Sequence, residues 1–556
     1  MQPPVLNVPG PRAERRPRVH FRPRKLERWA EELPLADPHE AGRRLLRQLH
    51  ELNHGHYGAA ERLKLLATLL PVAHRVIVLL GDGLLAASLP PDPHTEARAD
   101  LLQRLLEELA VGYKLIVNEY TLWDEVRASR TPELAEAVYF AAKFLALRLV
   151  FAYVLYQPEP VGTWRELKEL YRYAEDSGIH DRPVDDNYHG QAAALPPTVD
   201  RVFRQVVLLA LAEPYNLMQH EAWQVFLLAG AWAAELEFMP APPGPIVRDY
   251  VLDLADTRPP RFHDDSRPAR PRDGRIIDIS GVRRQLELLL RPHLNPANLE
   301  GNLQLRQQRD MLLRLAATWD ETRARRMERR PDGARLKLVT GLEACHYLTA
   351  RKAPFTPAMN ELKLTTANGQ ARRLSPDAFT LAYRNALTND RRQMFTRYTV
   401  HPMVRRDVSP RGMAVEADPG AGEVAPARVG DLVGYRFTAR RTERWHLGVV
   451  RWLKAPPGHP ARMGIMHLAR TAVPVGVRAL QGPGEGAGHF RAMLIPRQES
   501  VSQQRSLITP AGVFDVGSVL AVGTERRLFH VRLTRLLLAT GSFAQFAFER
   551  LEAARD

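Results

Sequence analysis

The stretch Asp407-Val408-Ser409-Pro410-Arg411-Gly412, written DVSPRG, lies between two runs of strand-like residues, 398–405 and 413–417. Aspartate, serine, proline and glycine favour tight turns, because they hydrogen-bond the local backbone or adopt the torsion angles that turns require. The stretch therefore predicts a β-hairpin. A six-residue pattern with three fixed positions also occurs by chance, so its meaning depends on the rest of the chain.

A dense arginine cluster, RARRMERR at residues 323–330, precedes the hairpin in the sequence. It continues a helical pattern over roughly residues 296–327, and charged runs of this kind usually form solvated helix faces. Downstream of the hairpin, the apolar runs GDLVGYRF (430–437) and RWHLGVVRW (444–452) are separated by Gly and Pro turns. Such short runs predict the strands of a small β-barrel.

An Arg-x-x-x-Arg pair followed by Asp-x-Ser-x-x-Gly and a short barrel resembles the PilZ domain. The resemblance covers roughly residues 321–480 and implies an antiparallel β-barrel that binds the bacterial second messenger cyclic di-GMP. The ligand-binding residues that it implies are Arg325, Arg326, Arg329, Arg330, Asp407, Ser409 and Gly412. Two registers of the arginine pair, Arg325/Arg329 and Arg326/Arg330, fit equally well, and both stay open.

These residue types suit a dianionic dinucleotide with two guanine bases. Arginine reads the O6 and N7 acceptors of guanine as a planar fork, and it can also clamp a phosphate or stack on a base. Asp407 can accept hydrogen bonds from the N–H edge of guanine, and Ser409 adds a short donor and acceptor. Gly412 permits a tight turn and close backbone approach.

The interval between the arginine cluster and the hairpin is longer than this resemblance leads us to expect. Ser375-Pro376-Asp377 is typical of a helix start, with serine as the cap and proline in the first turn. The helical pattern then continues to residue 397. We therefore predict a helix inserted into the barrel domain, with the order of the motifs intact.

The composition limits the function only weakly. The 556 residues include 78 Lys and Arg against 63 Asp and Glu, a formal net charge of +15. Such a balance suits an anionic partner, which could be a nucleotide, a nucleic acid or a membrane surface. The excess is nearly all arginine, which a high-GC bacterial genome produces without function. The single cysteine, Cys345, excludes an internal disulfide and favours the reducing cytoplasm.

The N-terminal half is predicted to be almost entirely helical over residues 26–240, as an antiparallel bundle or an array of helical hairpins. Asp37-Pro38-His39-Glu40 is typical of a helix start. Residues 1–25 are rich in Pro and Arg and are predicted to be a disordered arm rather than a secretory signal. The most apolar stretches, 72–89 and 140–156, contain charged residues and predict buried helices rather than membrane spans.

Three histidines near residue 50 lack matching carboxylates at helical spacing, so no metal site is predicted. The run PAPPGP at 240–245 predicts a linker, and residues 246–320 are predicted to form a connecting α/β region. Residues 481–556 are predicted to form a β-rich extension, since further alternating runs follow residue 480. The predicted fold class is therefore α+β multidomain, with an all-α N-terminal half and a C-terminal PilZ-like antiparallel β-barrel with a β extension.

The pairing of a long helical half with a PilZ-like barrel is similar to a proteobacterial family of cyclic di-GMP-binding proteins. That family is linked to surface attachment through type IV pili. The resemblance implies a cytoplasmic receptor that needs no cofactor, binds cyclic di-GMP and signals to a protein partner through its helical half. It implies no enzyme, and the sequence has neither a phosphate-cradling glycine loop nor the EAL or GGDEF signature of cyclic di-GMP turnover.

A rival interpretation is a nucleic-acid-binding protein, or a scaffold whose barrel has lost its ligand. A nucleic-acid-binding barrel would present several surface aromatic residues along basic strands. Tyr435, Trp445 and Trp452 are the candidates for such a stacking surface. Their alternation along the strands favours a place in the core instead.

Overall fold

The chain folds into two compact units in the computed structural model. Unit 1 comprises Met1–Leu289 and Arg314–Arg325, and unit 2 comprises Leu290–Leu313 and Arg326–Asp556. The structure describes residues 3–9, 22–87, 89, 91–122, 131–186, 196–263, 268–294, 303–320, 329–358, 398–418, 425–439, 444–456, 459–485, 488–497, 505–524 and 526–551.

Unit 1 consists mainly of α-helices, in agreement with the predicted helical half. The bounds of these helices are α1 Pro23–Glu31, α2 Pro38–Asn53, α3 Ala59–Leu85, α4 Pro93–Leu122, α5 Thr131–Val154, α6 Thr163–Asp176, α7 Val199–Leu211 and α8 Glu221–Trp232. The helix start at Asp37 is confirmed, because its side chain accepts hydrogen bonds from the backbone N–H groups of His39 and Glu40. α5 is apolar on all sides and packs against α3, α4, α6, α7 and α8, so it is the central helix of the unit.

Two helices of unit 1, α3 and α5, are long and apolar enough to cross a membrane by length and composition alone. In α5, 83% of the most apolar window is buried inside the protein, as in the core helix of a bundle. In α3 the corresponding fraction is 50%, and Val78 and Leu79 are exposed. The absence of a membrane span stays a prediction.

Part of the N-terminal arm is ordered on unit 1, in contrast to the predicted disorder of residues 1–25. Pro4 is buried, and the backbone N–H of Asn7 donates to Glu166 of α6 at 2.5 Å. The same carboxylate pairs with the buried ammonium of Lys114 at 2.9 Å. The sequence did not indicate this contact, because the partners are more than 100 positions away from the arm.

A four-stranded antiparallel sheet completes unit 1. Its strands are β1 Glu237–Pro240, β2 Asp249–Asp253, β3 Arg261–His263 and β4 Gly274–Asp278, in the order β1-β4-β2-β3. The buried ammonium of Lys168 in α6 donates to the backbone carbonyls of Asp253 and Arg258, at 2.6 and 2.7 Å. The first part of the predicted connecting region is therefore fixed to the helices. Helix α9, Ser280–Leu290, follows the sheet.

The first barrel of unit 2 is six-stranded and antiparallel. The elements of this region are β5 Arg330–Pro331, β6 Arg335–Thr340, α11 Leu342–Thr349, β7 His401–Ser409, β8 Gly412–Ala417, β9 Leu432–Phe437, β10 His446–Lys454 and β11 Arg462–Ala469, and α10 is Leu303–Thr318. The strand order is β7-β6-β9-β10-β11-β8, and pairing of β7 with β8 closes the barrel. The short strand β5 pairs with β7 beyond the end of β6.

The predicted β extension is a second closed six-stranded barrel. Its strands are β12 Val473–Gln481, β13 Phe490–Ile495, β14 Ser506–Pro510, β15 Val519–Gly523, β16 Leu528–Ala539 and β17 Phe543–Leu551, in the order β12-β13-β14-β17-β16-β15. Residues 475–480, which we assigned to the PilZ-like barrel, belong to β12 of this second barrel. The correction arises because, among the strands that the structure describes, β12 pairs with β13 and β15. Strand pairing is not readable from an apolar run.

Helix α11 lies at a core that the two barrels share. Cys345 is completely buried there, which raises the pKa of its thiol, together with Trp445 of β10, Met493 of β13 and Phe543 of β17. Burial keeps this thiol protonated and unreactive. The only cysteine of the chain therefore has a packing role.

Residues 290–313 belong to the barrel unit although they precede it in sequence. Arg306 of α10 is only 9% exposed and lies 3.6 Å from Asp515, just before β15. Of the predicted helix over residues 296–327, the structure describes α10 at Leu303–Thr318 and the non-helical residues 319 and 320 after it. The rest of that range, like the predicted inserted helix from Ser375 to residue 397, lies outside the described residues.

Candidate ligand-binding site

The DVSPRG stretch forms the hairpin that joins β7 to β8. Ser409 pairs with Gly412, so Pro410 and Arg411 make the two-residue tip. The Ser409 hydroxyl donates to the carbonyl of Gly412 at 3.2 Å, which fixes the turn. The predicted hairpin is confirmed, but β7 runs further than expected. Asp407 and Ser409 therefore sit on a strand rather than in a loop.

A β-bulge lies directly before Asp407. Arg405 pairs with Val415 and Asp407 with Ala414, so Arg406 is the extra residue on β7. A bulge re-aims the side chains beside it. The Asp407 carboxylate accepts from the backbone N–H of Ala414 at 3.2 Å, which holds it along the hairpin.

The end of the arginine cluster lies on this hairpin. In strand β5, Arg330 pairs with Val408 and Pro331 with Asp407. The guanidinium of Arg329 donates to the Asp407 carboxylate at 2.8 Å, with the two side chains 48% and 26% exposed. The structure thus brings together the two motifs that the sequence separates.

The two arginine registers are not distinguished by these contacts. Arg329 belongs to one register and Arg330 to the other, and their partners Arg325 and Arg326 lie outside the described residues. Arg329 forms an ion pair with Asp407, which lies far from it in the chain.

A second ion pair ties the same segment to the barrel, and sequence reasoning missed it. The Arg405 guanidinium donates to Asp332 at 2.6 Å, and this bond is the largest cause that lowers the pKa of Asp332. The backbone N–H of Asp332 donates to the carbonyl of Arg406 at 3.0 Å. Arg405 also lies over the ring of Phe437 at 4.7 Å. No signal in the sequence links Arg405 with Asp332, since the two residues are 73 positions apart.

A third ion pair lies on the neighbouring strand of the hairpin. The Arg406 guanidinium binds the Glu416 carboxylate through two hydrogen bonds, at 2.9 and 3.2 Å. Arg462 approaches the same carboxylate at 3.5 Å. Glu416 therefore neutralises the charge of the bulge residue Arg406 within the hairpin. The segment before β6 forms its ion pairs with Arg405 and Asp407 instead.

The hairpin and the adjoining segment carry a surplus of positive charge. Residues 329–332 and 405–412 contain five arginines and two aspartates, so the formal charge is 5 − 2 = +3. A dianion in this place would be attracted, while a neutral ligand would not.

Gly412 has a packing role that explains the residue without a ligand. A Cβ atom at this position would lie 2.4 Å from the carbonyl oxygen of Ile465 on the neighbouring strand β11. No side chain fits there, because β8 and β11 pair directly at Gly412 and Met466. We predicted Gly412 as a ligand residue, and its contact with β11 is an independent reason for glycine.

Polar and aromatic rings occupy the end of the first barrel next to the hairpin. The Tyr435 hydroxyl lies 2.8 Å from Nδ1 of His467, and the Tyr435 ring stacks on His446 with centroids 5.2 Å apart. The backbone N–H of His467 donates to the carbonyl of Arg411 at the hairpin tip. Burial, and then His446 and nearby arginines, lowers the pKa of His467. The barrel end is thus an aromatic support for the hairpin.

The stacking surface that a nucleic-acid-binding barrel needs is not formed by the residues proposed for it. Tyr435 and Trp445 are buried, at 4% and 9% exposure, and Trp452 is half-buried. Among the described residues, no group of three or more His, Cys, Asp and Glu side chains is placed to hold a metal ion.

Three family models match consecutive parts of this chain. They are described as the N-terminal domain of the cyclic-di-GMP receptor FimW (residues 24–242), its middle PilZ domain (250–399 and 382–474) and the FimW C-terminal beta-barrel domain (475–551). A curated relative, the cyclic-di-GMP receptor FimW of Pseudomonas aeruginosa, is 26% identical over 98% of this chain and 93% of its own length. No solved structure matches the chain.

These matches agree with the architecture. The middle model ends at residue 474 and the C-terminal model begins at residue 475, near the start of β12. The PilZ resemblance and the fold class are confirmed. The models and the relative are named for a receptor, which also confirms the expectation of a binding protein rather than an enzyme.

Proposed function

The chain belongs to the family of the cyclic-di-GMP receptor FimW and contains its PilZ domain, and on this premise we propose that it binds cyclic di-GMP where residues 329–332 lie on the DVSPRG hairpin. The observation that carries the proposal is the contact of Arg329 with Asp407 at 2.8 Å. It joins an arginine of the Arg-x-x-x-Arg motif to the carboxylate of the Asp-x-Ser-x-x-Gly motif. Both residues lie on the surface whose formal charge is +3.

Binding at this place is an exchange of partners. Without the dinucleotide, Arg329 and Asp407 satisfy each other. A guanine offers both groups new partners, because its O6/N7 edge accepts from arginine and its N–H edge donates to a carboxylate. Each such charge-assisted hydrogen bond contributes about 1.5–3 kcal/mol, and the exposed ion pair that it replaces contributes about 0–1 kcal/mol. The exchange therefore favours the bound state.

The output of the receptor would pass to the helical unit. The division between the two units falls between Arg325 and Arg326, inside the arginine cluster. A ligand held by these arginines can shift the population between two conformations of the receptor. We propose a protein partner for the helical unit, a cytoplasmic location, and a role in surface attachment through pili, which rests on the family resemblance.

Calorimetric titration of the full-length protein with cyclic di-GMP tests the site, with GTP and cyclic AMP as competitors. Arg329→Ala and Asp407→Ala should each weaken binding by about 1.5–3 kcal/mol, the contribution of a charged hydrogen bond. Arg526→Ala removes the same charge from an exposed position on the second barrel and serves as the control.

Binding that is unchanged in both site variants would refute the assignment. A loss that is equal in the Arg526→Ala control would mean that net charge alone attracts the ligand. Binding of nucleic acid with a steep salt dependence, and none of the dinucleotide, would favour the rival interpretation.

A further inference from the structure

The chain between the arginine cluster and β6 is attached to strand β7 by very few backbone bonds. Strand β5 consists of Arg330 and Pro331 alone. Proline has no N–H group to donate to a neighbouring strand. The next backbone donor is the N–H of Asp332, which binds the carbonyl of Arg406 at 3.0 Å. Asp332 therefore continues an attachment that β5 alone would make weak.

The side chain of Asp332 is bonded on two sides. One carboxylate oxygen accepts from the backbone N–H of Ala334 at 2.6 Å, which fixes the turn between β5 and β6. The other oxygen accepts from the Arg405 guanidinium at 2.6 Å. Arg405 in turn lies 4.7 Å from the centre of the Phe437 ring in β9, so its guanidinium packs on the barrel. Asp332 thus ties the end of the arginine segment to the barrel through Arg405.

Among the described residues, two ion pairs join residues 329–332 to the hairpin. The side chains of Arg329 and Asp407 are 48% and 26% exposed, while those of Arg405 and Asp332 are only 18% and 24% exposed. Solvent screens the more exposed pair more strongly. It is also the pair that opens in the proposed exchange, since the guanine takes both partners. The ion pair of Asp332 with Arg405 is then left to hold the segment while the ligand is bound.

We propose that Asp332 is a positioning residue of the cyclic di-GMP site, an inference that rests on the proposed function. Its ion pair with Arg405 holds residues 329–331 on β7 before the ligand arrives. Fixing the backbone of a residue costs conformational entropy, and a segment that is already fixed does not add this cost to binding. Asp332 acts through Arg405 and does not itself bind the dinucleotide.

Charge alone predicts the opposite effect of removing this carboxylate. The hairpin and residues 329–332 together carry five arginines and two aspartates, so the loss of one aspartate raises the formal charge from +3 to 5 − 1 = +4. A dianion would then be attracted more strongly. Positioning predicts weaker binding instead. The direction of the change in affinity therefore distinguishes the two effects.

Titration calorimetry of the full-length protein with cyclic di-GMP makes this test on Asp332→Asn. Asparagine keeps a carbonyl oxygen for the turn with Ala334 but offers no charge to Arg405, so the variant should fold. We expect the affinity to fall about tenfold or more, because the ligand must now order the segment. A role in global stability alone would leave the affinity of the folded protein unchanged.

Glu416→Gln is the matched control. It removes the same charge from the same hairpin, but Glu416 pairs with Arg406 and Arg462 rather than with residues 329–332. Its affinity for the dinucleotide should not fall. Arg405→Gln, alone and combined with Asp332→Asn, tests the link between the two residues. If Asp332 acts through Arg405, the two losses of affinity should not add.

Hydrogen exchange of the ligand-free protein gives a second measurement. The amide of residue 332 should exchange faster in Asp332→Asn than in the unsubstituted chain, while the amides of β10 should not change. Equal exchange at residue 332, unchanged or tighter binding by Asp332→Asn, an equal loss in Glu416→Gln, or additive losses would each overturn the inference and leave the proposed function standing. Absence of binding by the unsubstituted protein would refute the proposed function, and the positioning role with it.

Discussion

Both barrels of unit 2 are closed, antiparallel and six-stranded, but only the first carries the charged hairpin described above. The second barrel is filled by aliphatic and aromatic side chains such as Val477, Leu520 and Phe546. The first carries arginines and aspartates around its hairpin and rings of Tyr and His at the same end. Bulges occur in both barrels, so irregular backbone alone does not mark a site. On the proposed function, the barrel is the support and the charges around one hairpin bind the ligand.

The largest expected effect is on the apolar interior of the second barrel. Phe546 is 1% exposed, and Phe546→Ala should reduce the free energy of unfolding by about 3–5 kcal/mol, because it leaves a cavity among packed side chains. Urea unfolding measures this loss. The affinity of the folded variant for cyclic di-GMP should not change, since the proposed ligand residues lie on the first barrel.

Phe529→Ala is the control, because Phe529 is only half-buried against the same cluster and should lose less. If Phe546→Ala abolished binding in protein that is still folded, the two barrels would not be functionally separable, and the comparison would fail.

The next effect is on binding and identifies the arginine register. The double variants Arg325→Ala/Arg329→Ala and Arg326→Ala/Arg330→Ala each remove two charges. The pair that forms the clamp should lose about 3 kcal/mol or more of binding free energy, at about 1.5–3 per charged bond. The other pair should lose clearly less.

Arg526→Ala/Arg527→Ala removes two exposed arginines from the second barrel and controls for net charge. Titration calorimetry at two salt concentrations separates specific bonds from attraction by the +3 surface, because only the latter weakens strongly with salt. Equal losses in all three double variants would show that the clamp does not exist.

A glycine pair near the site gives a smaller effect on stability. Gly412→Ala places a Cβ atom 2.4 Å from a backbone oxygen of β11, which should cost about 1–3 kcal/mol of unfolding free energy. Gly333 has no atom within 4 Å of its Cβ position, so Gly333→Ala should be neutral or slightly stabilising. A Gly412→Ala protein as stable as the Gly333→Ala protein would mean that β8 and β11 separate easily.

The smallest effect is a pH dependence of the first barrel. Because the pKa of His467 is lowered in the folded state, the unfolded chain binds its proton first as pH falls. Stability that is fully present above about pH 6.5 should therefore decline below it, by less than about 1 kcal/mol for one half-buried histidine. His467→Gln should flatten this decline between about pH 6.5 and 5. An unchanged pH profile of unfolding would show that His467 is not its source.

Local signals in the sequence predicted where turns and strands lie better than they predicted which strands pair with each other. The hairpin at Pro410 and Arg411 follows from turn residues that act on their own backbone. The partner strands of β12 do not follow from local residues, because any apolar run can pair with any other.

The candidate site shows the same limit. The residues of the two motifs could be named because a resemblance links them, and the contact of Arg329 with Asp407 agrees with that link. The ion pair of Arg405 with Asp332 could not be found, since an Arg-Asp pair separated by more than 70 positions has no sequence periodicity. Long-range charge pairing is a property of the folded chain alone.

The path of the chain through the two units has an evolutionary consequence. The barrel unit includes residues 290–313, whereas residues 314–325 belong to the helical unit. All residues from 326 onward belong to the barrel unit. A gene fragment cut at a single point in this region cannot encode either unit whole. One that begins near residue 320 omits Arg306, which lies against Asp515. Exchange of these barrels between genes by one recombination event would therefore yield incomplete units, so we expect the two halves to be inherited together.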